Sequence, residues 1–219
     1  MKRKWLPALL LLGPTGPARA CDTALLLAID VSGSIDRGEY ALQIQGLADA
    51  LADAQVADAL IEGENAIAVM QWSGRGDQAM VIPWQRITST EILRGVEMQA
   101  RTLPRAFLSS NTAVGEAIST AAAQFTATPD CKRHVIDISG DGPENAGSDL
   151  GRARSTAHAQ GITINAIAIE DMGASAPTSQ FYKNSVVTPK GFVLTARGLD
   201  DYARAIRAKL LRELIKPMG

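Results

Sequence analysis

Several short, uninterrupted apolar runs restrict the fold of this chain more than any other feature of its sequence. The first extends from Thr23 to Val31 (TALLLAIDV), and others cover His134 to Ser139 and Ile162 to Ile169. Runs of this length without alternating polar residues are typical of strands buried on both faces, as in a parallel sheet covered by helices. The chain is therefore predicted to have an α/β fold.

Segments with helical periodicity separate these strands. Between Asp36 and Ala54, apolar residues recur at spacings of three and four, which favours a helix with one buried face. The other predicted helices cover Thr88 to Thr102, Thr112 to Phe125, Ser148 to Gln160 and Leu199 to Leu214.

Two further predicted strands flank a glycine-containing turn. Ala66 to Trp72 and Gln78 to Trp84 are predicted to pair as an antiparallel hairpin. A long connection from Glu170 to Pro189, with room for one helical turn, then leads to a last strand from Gly191 to Ala196. This order of elements predicts a doubly wound, mostly parallel, Rossmann-like sheet with one antiparallel edge strand and helices on both faces.

The first twenty residues have the pattern of a secretory signal peptide rather than of a buried N-terminal helix. Basic residues precede a short apolar run, Trp5 to Leu12, and Ala18-Arg19-Ala20 forms an A-x-A cleavage site. The run is much shorter than the roughly 20 residues that span a bilayer, and no later run approaches that length. Residues 21–219 are predicted to form one domain, exported to a periplasm or out of the cell, without a transmembrane segment.

Cleavage after Ala20 places Cys21 at the new N-terminus. Attachment of a lipid to Cys21 is the less favoured alternative, because Arg19 stands where lipoprotein signals have a small residue.

Charge and composition argue against several classes of function. The chain has 22 Lys and Arg against 23 Asp and Glu, so it lacks the basic excess that nucleic-acid binding requires. Two cysteines and two histidines are too few for a zinc ribbon and leave little for a histidine-based metalloenzyme.

Hard oxygen donors follow two of the buried strands. Asp30, Ser32 and Ser34 alternate where the first strand enters a loop, Asp141 follows the strand that ends at Ser139, and Thr112 opens a helix between them. The carboxyl ends of the strands are where ligands bind in such sheets. Carboxylate and hydroxyl oxygens suit Mg²⁺, Ca²⁺ or Mn²⁺ better than zinc or copper. Two alternatives remain: Asp30, Ser34 and Thr112 could each cap a helix, and the site could keep its shape without an ion.

These separated pieces resemble the metal-ion-dependent adhesion site (MIDAS) of von Willebrand factor A-type domains, namely Asp-x-Ser-x-Ser, a Thr after a Ser-rich turn, and the Asp of Ser-Gly-Asp-Gly. The order of strands and helices is similar over essentially the whole mature chain. The resemblance implies that Ser32, Ser34 and Thr112 bind a cation directly or nearly so, and that Asp30 and Asp141 often act through water. It also implies an open coordination position for a carboxylate of a protein partner.

The chain is more closely similar to a bacterial group of secreted A-type domains of unknown function. This similarity rests on Ser139 to Gly147 (SGDGPENAG) and on the segment from Phe181 to Leu214. Further polar residues near the motifs could line the rim of the site: Asn111, Glu144, Asn145, Glu170 and Asp171. For Glu170 and Asp171, solvated loop charges are an equally good interpretation.

The two cysteines are predicted to form a disulfide in this topology. Cys21 and Cys131 precede Asp30 and Asp141 by similar distances, on strands that are parallel neighbours in the fold that the resemblance implies. Export permits a disulfide bond between them. Two free thiols, or a lipid on Cys21, are the alternatives.

The favoured function is that of a secreted protein-binding module that presents a divalent cation to an acidic group of its partner, and not that of an enzyme. No histidine falls in the motif loops, and the sequence has no G-x-S-x-G, Walker or G-x-G-x-x-G motif. An envelope assembly or scaffold protein that does not use the metal is the main alternative. A metal-assisted hydrolase, with Asp or Glu as the base, is a weaker one.

Overall fold

The structure, a computed structural model, describes residues 20–108, 111–128, 130–170 and 177–215. The predicted signal peptide lies almost entirely outside these residues. The strands are β1 (Thr23–Asp30), β2 (Ala66–Trp72), β3 (Gln78–Arg86), β4 (Arg133–Gly140), β5 (Ile162–Glu170) and β6 (Val193–Arg197). The helices are α1 (Arg37–Ala52), α2 (Ala54–Glu62), α3 (Thr90–Arg101), α4 (Val114–Gln124), α5 (Leu150–Ala159), α6 (Thr178–Phe181) and α7 (Tyr202–Leu214).

The six strands form one sheet in the order β3-β2-β1-β4-β5-β6. The β2–β3 pair at one edge is antiparallel, and the other four pairs are parallel. The predicted α/β fold, with a mostly parallel sheet and an antiparallel edge strand, is confirmed.

Alternate side chains of the central strand β1 build two separate cores. Leu25 and Leu27 pack into a core with residues of α1, α3 and α7. Leu26 and Ala28 pack on the other face, against residues of α4 and α5. All eight residues of β1 are buried, as expected for a strand covered by helices on both faces.

The helix predicted from Asp36 to Ala54 is α1 in the structure, and a second helix, α2, which was not predicted, follows it directly. Asp53 has an extended backbone and accepts hydrogen bonds from the amides of Gln55 and Val56, which makes it the N-cap of α2. A capping aspartate ends one helix and begins the next, so the apolar pattern that continues past Asp53 belongs to a second helix. The prediction missed α2.

The two edge strands differ in part from the prediction, although β3 begins at Gln78 as predicted. β3 continues past Pro83 to Arg86, which is possible because a proline without an N–H is tolerated on an edge strand. β6 begins at Val193 rather than at Gly191. Gly191 instead lies in a turn, where its amide donates to the Thr188 carbonyl (2.8 Å) and a Cβ would collide with the Ile164 carbonyl oxygen.

The connection after β5 contains more structure than the single turn that was predicted. It includes α6, followed directly by a π-helical turn, Tyr182–Val186. Within the described ranges, no helix is long and apolar enough to cross a membrane.

A disulfide joins Cys21 and Cys131, as predicted. The two residues directly precede the neighbouring strands β1 and β4, whose parallel register pairs Thr23 with Arg133. Both cysteines are buried. Disulfides of this kind are typical of proteins in oxidising, extracytoplasmic compartments.

Reduction of this disulfide is expected to lower the free energy of unfolding by about 2–5 kcal/mol, because the bond closes a long loop between residues 110 positions apart. Urea unfolding with and without a phosphine reductant measures the difference. The double variant Cys21→Ser/Cys131→Ser is the control, since its unfolding should not respond to reductant. An unchanged midpoint for the wild-type chain on reduction contradicts the assignment.

Candidate metal centre

The carboxyl ends of β1 and β4 bring the two predicted aspartates together. Asp30 is the last residue of β1, and Asp141 directly follows β4, its parallel neighbour. The negative charge of Asp141 helps to raise the pKa of Asp30, which places the two carboxylates within electrostatic range of each other.

The segment before α4 brings Thr112 to the same edge. The amide of Ala113 donates to the carbonyl of Ser73 (2.9 Å), just after β2, and the Thr112 carbonyl accepts from the amide of Asn145 (3.0 Å), just after β4. Thr112 therefore lies at the edge where β1, β2 and β4 end.

The loop after β1 is compact and internally bonded. The Asp30 Oδ1 atom accepts from the Ser32 amide (2.8 Å), and the hydroxyls of Ser32 and Ser34 lie 3.2 Å apart. Ser32 is fully buried and Ser34 is exposed, so the hydroxyl oxygens extend from the interior toward solvent.

Other residues cap the two helices at the site. Asp36 is the N-cap of α1, in a capping box with Glu39. α4 has Ala113 as its N-cap and no side-chain capping bond. Asp30, Ser34 and Thr112 are thus not the capping residues, which removes the capping alternative for all three.

The Arg105 side chain holds the loop after β1 through hydrogen bonds to its backbone. Its guanidinium donates to the carbonyl of Val31 (2.9 and 3.2 Å) and to that of Ser32 (2.7 Å). Arg105 was not predicted to belong to the site, because an arginine in the connection between α3 and α4 carries no local signal of its partners.

Asp30 is the most unusual group of the site. It is fully buried, and its Oδ2 atom has no hydrogen-bond partner among the described residues. Burial and the charge of Asp141 raise the pKa of Asp30 to about 7. A buried carboxylate is costly unless it is paired or coordinates a metal, so the surroundings of Asp30 fit a bound cation.

Glu144 and Asn145, predicted as rim residues, hold the neighbouring backbone. Asn145 Oδ1 accepts from the Thr112 amide (2.7 Å). The Glu144 carboxylate accepts from the amides of Gly115 (3.0 Å) and Ala146 (2.9 Å). The loop after β4 therefore ties Thr112 and the start of α4 to the site.

Two of the remaining rim residues, Asn111 and Glu170, lie at the same edge. The carbonyl of Asn111 accepts from the Ser73 hydroxyl (3.3 Å), beside Thr112. Glu170 ends β5, and its carboxylate accepts from the Ser179 amide (2.9 Å). Asp171 lies outside the described residues.

Asn145→Ala is expected to weaken Mg²⁺ binding about tenfold, because residues that orient metal ligands typically affect affinity by that much or more. The change leaves the Thr112 amide without its acceptor and loosens the position of the Thr112 hydroxyl. Isothermal titration calorimetry with Mg²⁺ measures the effect. Asn184→Ala, at an exposed position, is the matched control, and equal affinities of the two variants would count against the role of Asn145.

The donor set decides which metals suit the site. No three His, Cys, Asp or Glu side chains gather into a metal-binding group anywhere in the described part of the chain. The site offers two carboxylates and three hydroxyls, a hard oxygen set that suits Mg²⁺, Ca²⁺ or Mn²⁺. Which metal binds, and whether one does, remains a prediction.

A protein family described as "Protein of unknown function (DUF1194)" matches residues 20–218. The chain belongs to this family. The match includes every residue of the candidate site of this DUF1194 protein. A comparison with curated proteins finds no match.

Solved structures identify the fold of the DUF1194 chain as that of von Willebrand factor A-type domains. Proximal thread matrix protein 1 from the mussel byssus is 19% identical, with a TM-score of 0.67 over 89% of this chain and 49% of its own. A von Willebrand factor type A protein from Catenulispora acidiphila is 18% identical, with a TM-score of 0.63 over 88% and 43%. The pilus adhesin SpaC from Lactobacillus rhamnosus GG is 13% identical, with a TM-score of 0.62 over 88% and 30%.

The DUF1194 chain spans about half of the length of the mussel protein. Another structure of that mussel protein, 17% identical with a TM-score of 0.67 over 89% and 48%, has a zinc-occupied MIDAS motif. At these identities the likeness establishes the fold, and the predicted resemblance to A-type domains of unknown function is confirmed.

Proposed function

We propose that this protein is an exported protein-binding module that uses a divalent cation, Mg²⁺ or alternatively Ca²⁺ or Mn²⁺, to hold an acidic group of a protein partner. The observation that carries the proposal is the buried Asp30 carboxylate, whose Oδ2 atom lacks a partner among the described residues. It lies beside hydroxyl groups at the edge of the sheet where ligands bind in this fold class.

The residues of the site would have two different roles at such a cation centre. Ser32, Ser34 and Thr112 would hold the cation, with Asp30 and Asp141 balancing its charge directly or through water. A cation held in this way supplies a positive charge with an open position for a carboxylate oxygen. Because Ser34 is exposed, a partner can approach from the solvent side.

Several observations support this proposal over the alternatives. The disulfide fits an exported protein, and adhesins occur among proteins of similar fold. A hydrolase needs a general base near the metal, but His134 lies at the opposite end of β4, bonded to the Thr128 carbonyl, and His158 lies at the end of α5. Neither histidine can thus serve as a base at the site, and a hydrolase would have to use Asp or Glu; enzymatic activity is not part of the proposal.

A pull-down from envelope and secreted fractions tests the binding function. Purified mature protein serves as bait in Mg²⁺ and Ca²⁺, in EDTA, and as the Asp30→Ala variant with the metals present. The proposal expects a partner that is retained only by the wild-type protein with metal, and that free acetate at high concentration displaces. A partner retained equally under all three conditions would favour a scaffold protein that does not use the metal.

A further inference from the structure

At the carboxyl ends of β1, β2 and β4, Gly140 leaves a space without a side chain, and Tyr182 fills this space. Trp72 and Asp30 are direct partners across β2 and β1, and Gly140 follows the β4 partner of Ile29. Because Gly140 has no side chain, β4 contributes none beside those of Trp72 and Asp30. A Cβ at Gly140 would collide with the Tyr182 hydroxyl and would lie 3.0 Å from Asp30 Oδ2, so both oxygens border the same small space.

The two oxygens are chemically complementary. Both side chains are fully buried, and neither Asp30 Oδ2 nor the Tyr182 hydroxyl has a hydrogen-bond partner in the described part of the chain. Buried polar groups in native proteins are nearly always paired, with protein or with ordered water. A phenol can donate and a carboxylate can only accept, so each oxygen provides what the other needs.

The backbone around Tyr182 is tied to the same site. The Thr178 hydroxyl of α6 donates to the Asp141 carbonyl (3.1 Å), and the Ser179 amide donates to Glu170 (2.9 Å). Tyr182 follows α6 directly and begins the π-helical turn, which closes with a bond from the Val187 amide to the Tyr182 carbonyl (3.0 Å). These bonds hold the backbone around Tyr182 at the edge of the sheet that carries Asp30 and Asp141.

We propose that Tyr182 is a positioning residue of the cation centre, whose hydroxyl donates a hydrogen bond to Asp30 Oδ2, directly or through one bridging water. With Oδ1 bonded to the Ser32 amide, this second bond fixes the plane of the carboxylate. Each carboxylate oxygen has two lone pairs, so Asp30 keeps free lone pairs for a cation or its water. The inference rests on the proposed function only in requiring that a cation binds at Asp30.

Tyr182 keeps its proton at neutral pH. Burial, together with the negative charges of Asp30, Asp141 and Glu144, raises the pKa of the Tyr182 hydroxyl well above its ordinary value. The ordinary pKa of a phenol, about 10, already keeps the hydroxyl a donor at neutral pH.

Tyr182→Phe tests the inference, because it removes one oxygen and keeps the ring. Mg²⁺ affinity measured by calorimetry is expected to fall about tenfold, the size of effect typical of a lost group that orients a metal ligand. Tyr202→Phe is the matched control: Tyr202 is also buried, but its ring belongs to the core on the other face of the sheet, and its hydroxyl lies 3.5 Å from Ser139 Oγ.

A spectroscopic measurement separates positioning from a general loss of structure. The near-ultraviolet absorbance difference between the Mg²⁺ and EDTA forms should contain a tyrosine contribution in the wild-type protein and in Tyr202→Phe, but not in Tyr182→Phe. If Tyr182→Phe does not fold, Gly140→Ala provides the test, since its Cβ would displace the hydroxyl from Asp30. It should weaken Mg²⁺ binding while the far-ultraviolet circular dichroism stays unchanged.

The outcomes distinguish this inference from the proposed function. A wild-type protein that binds no cation overturns both. A wild-type protein that binds Mg²⁺, with Tyr182→Phe binding it equally well and giving the same difference spectrum, overturns the role of Tyr182 alone. If Tyr182→Phe does not fold, unchanged Mg²⁺ affinity in Gly140→Ala also overturns it.

Discussion

Asp30→Ala and Asp141→Ala are each expected to abolish measurable Mg²⁺ binding while the protein stays folded. Both residues lie just where β1 and β4 end, and neither belongs to the two apolar cores. The site then retains one carboxylate and three hydroxyls, too little negative charge to replace the hydration of Mg²⁺, which dehydrates reluctantly. Calorimetric titration with Mg²⁺ measures the loss, with circular dichroism as the check on folding.

Asp58→Ala is the matched control for these variants, since Asp58 is an exposed aspartate on α2. It should bind Mg²⁺ as the wild-type chain does. Undiminished binding in both site variants would show that the cation binds elsewhere.

The Asp30 carboxylate is also expected to affect the stability of the protein when no metal is present. Asp30→Asn removes a buried charge while keeping an oxygen that can accept from the Ser32 amide (2.8 Å in the wild-type chain). In EDTA at neutral pH this variant is expected to be more stable than the wild-type protein by roughly 1–4 kcal/mol. Burial raises the pKa of Asp30 to about 7, and a carboxyl whose pKa is raised on folding destabilises the folded protein by about 1.4 kcal/mol for each pH unit above its ordinary pKa. With Mg²⁺ the order should reverse, because only the wild-type protein gains stability from binding.

Lys209→Met is expected to lower the free energy of unfolding by about 3–5 kcal/mol, the usual cost of removing one partner of a buried ion pair. Lys209 is fully buried on α7. Its ammonium group pairs with Asp137 of β4 and, at 2.8 Å, with Glu213 of α7. Asn165 of β5 also donates to Glu213 (2.7 Å), so one cation and one amide compensate two buried carboxylates.

Methionine matches the length of the lysine stem, so the variant tests the charge rather than the packing. Arg204→Met, on the same helix, is the control, because the ion pair between Arg204 and Asp201 is largely exposed and such pairs contribute less than about 1 kcal/mol. Urea unfolding followed by circular dichroism compares the two. Equal losses for Lys209→Met and Arg204→Met would mean that the buried pair contributes no more than an exposed one.

The sheet could be predicted because its strands are buried on both faces. β1 is a continuous apolar segment up to Asp30, and all of its residues are buried in the structure. β2 is equally buried, with Gln71 as its one polar residue. The disulfide followed from the strand order that the resemblance to A-type domains implies, since parallel neighbours place Cys21 and Cys131 side by side. α2 could not be separated from α1 by periodicity, because Asp53 ends one helix and caps the next without interrupting the apolar pattern.

The part of the site that lies on strand ends and loop motifs could also be predicted, but its supporting residues could not. Asp30, Thr112 and Asp141 stand within short motifs whose residue types alone indicate hard-cation chemistry. Arg105 and Tyr182 come from connections that fold back over the sheet, and their roles depend on tertiary contacts that leave no local pattern in the sequence. Asn145 could be placed near the site, but its bond to the Thr112 amide is visible only in the structure.

A crystal structure of the mature protein grown with Mn²⁺, with data collected at the manganese absorption edge, tests the central claim most directly. The account predicts an anomalous peak at the carboxyl edge of the sheet, bound by the hydroxyls of Ser32, Ser34 and Thr112, with Asp30 and Asp141 in contact directly or through water. The absence of a peak there at saturating Mn²⁺, or a peak only elsewhere on the protein, would contradict it.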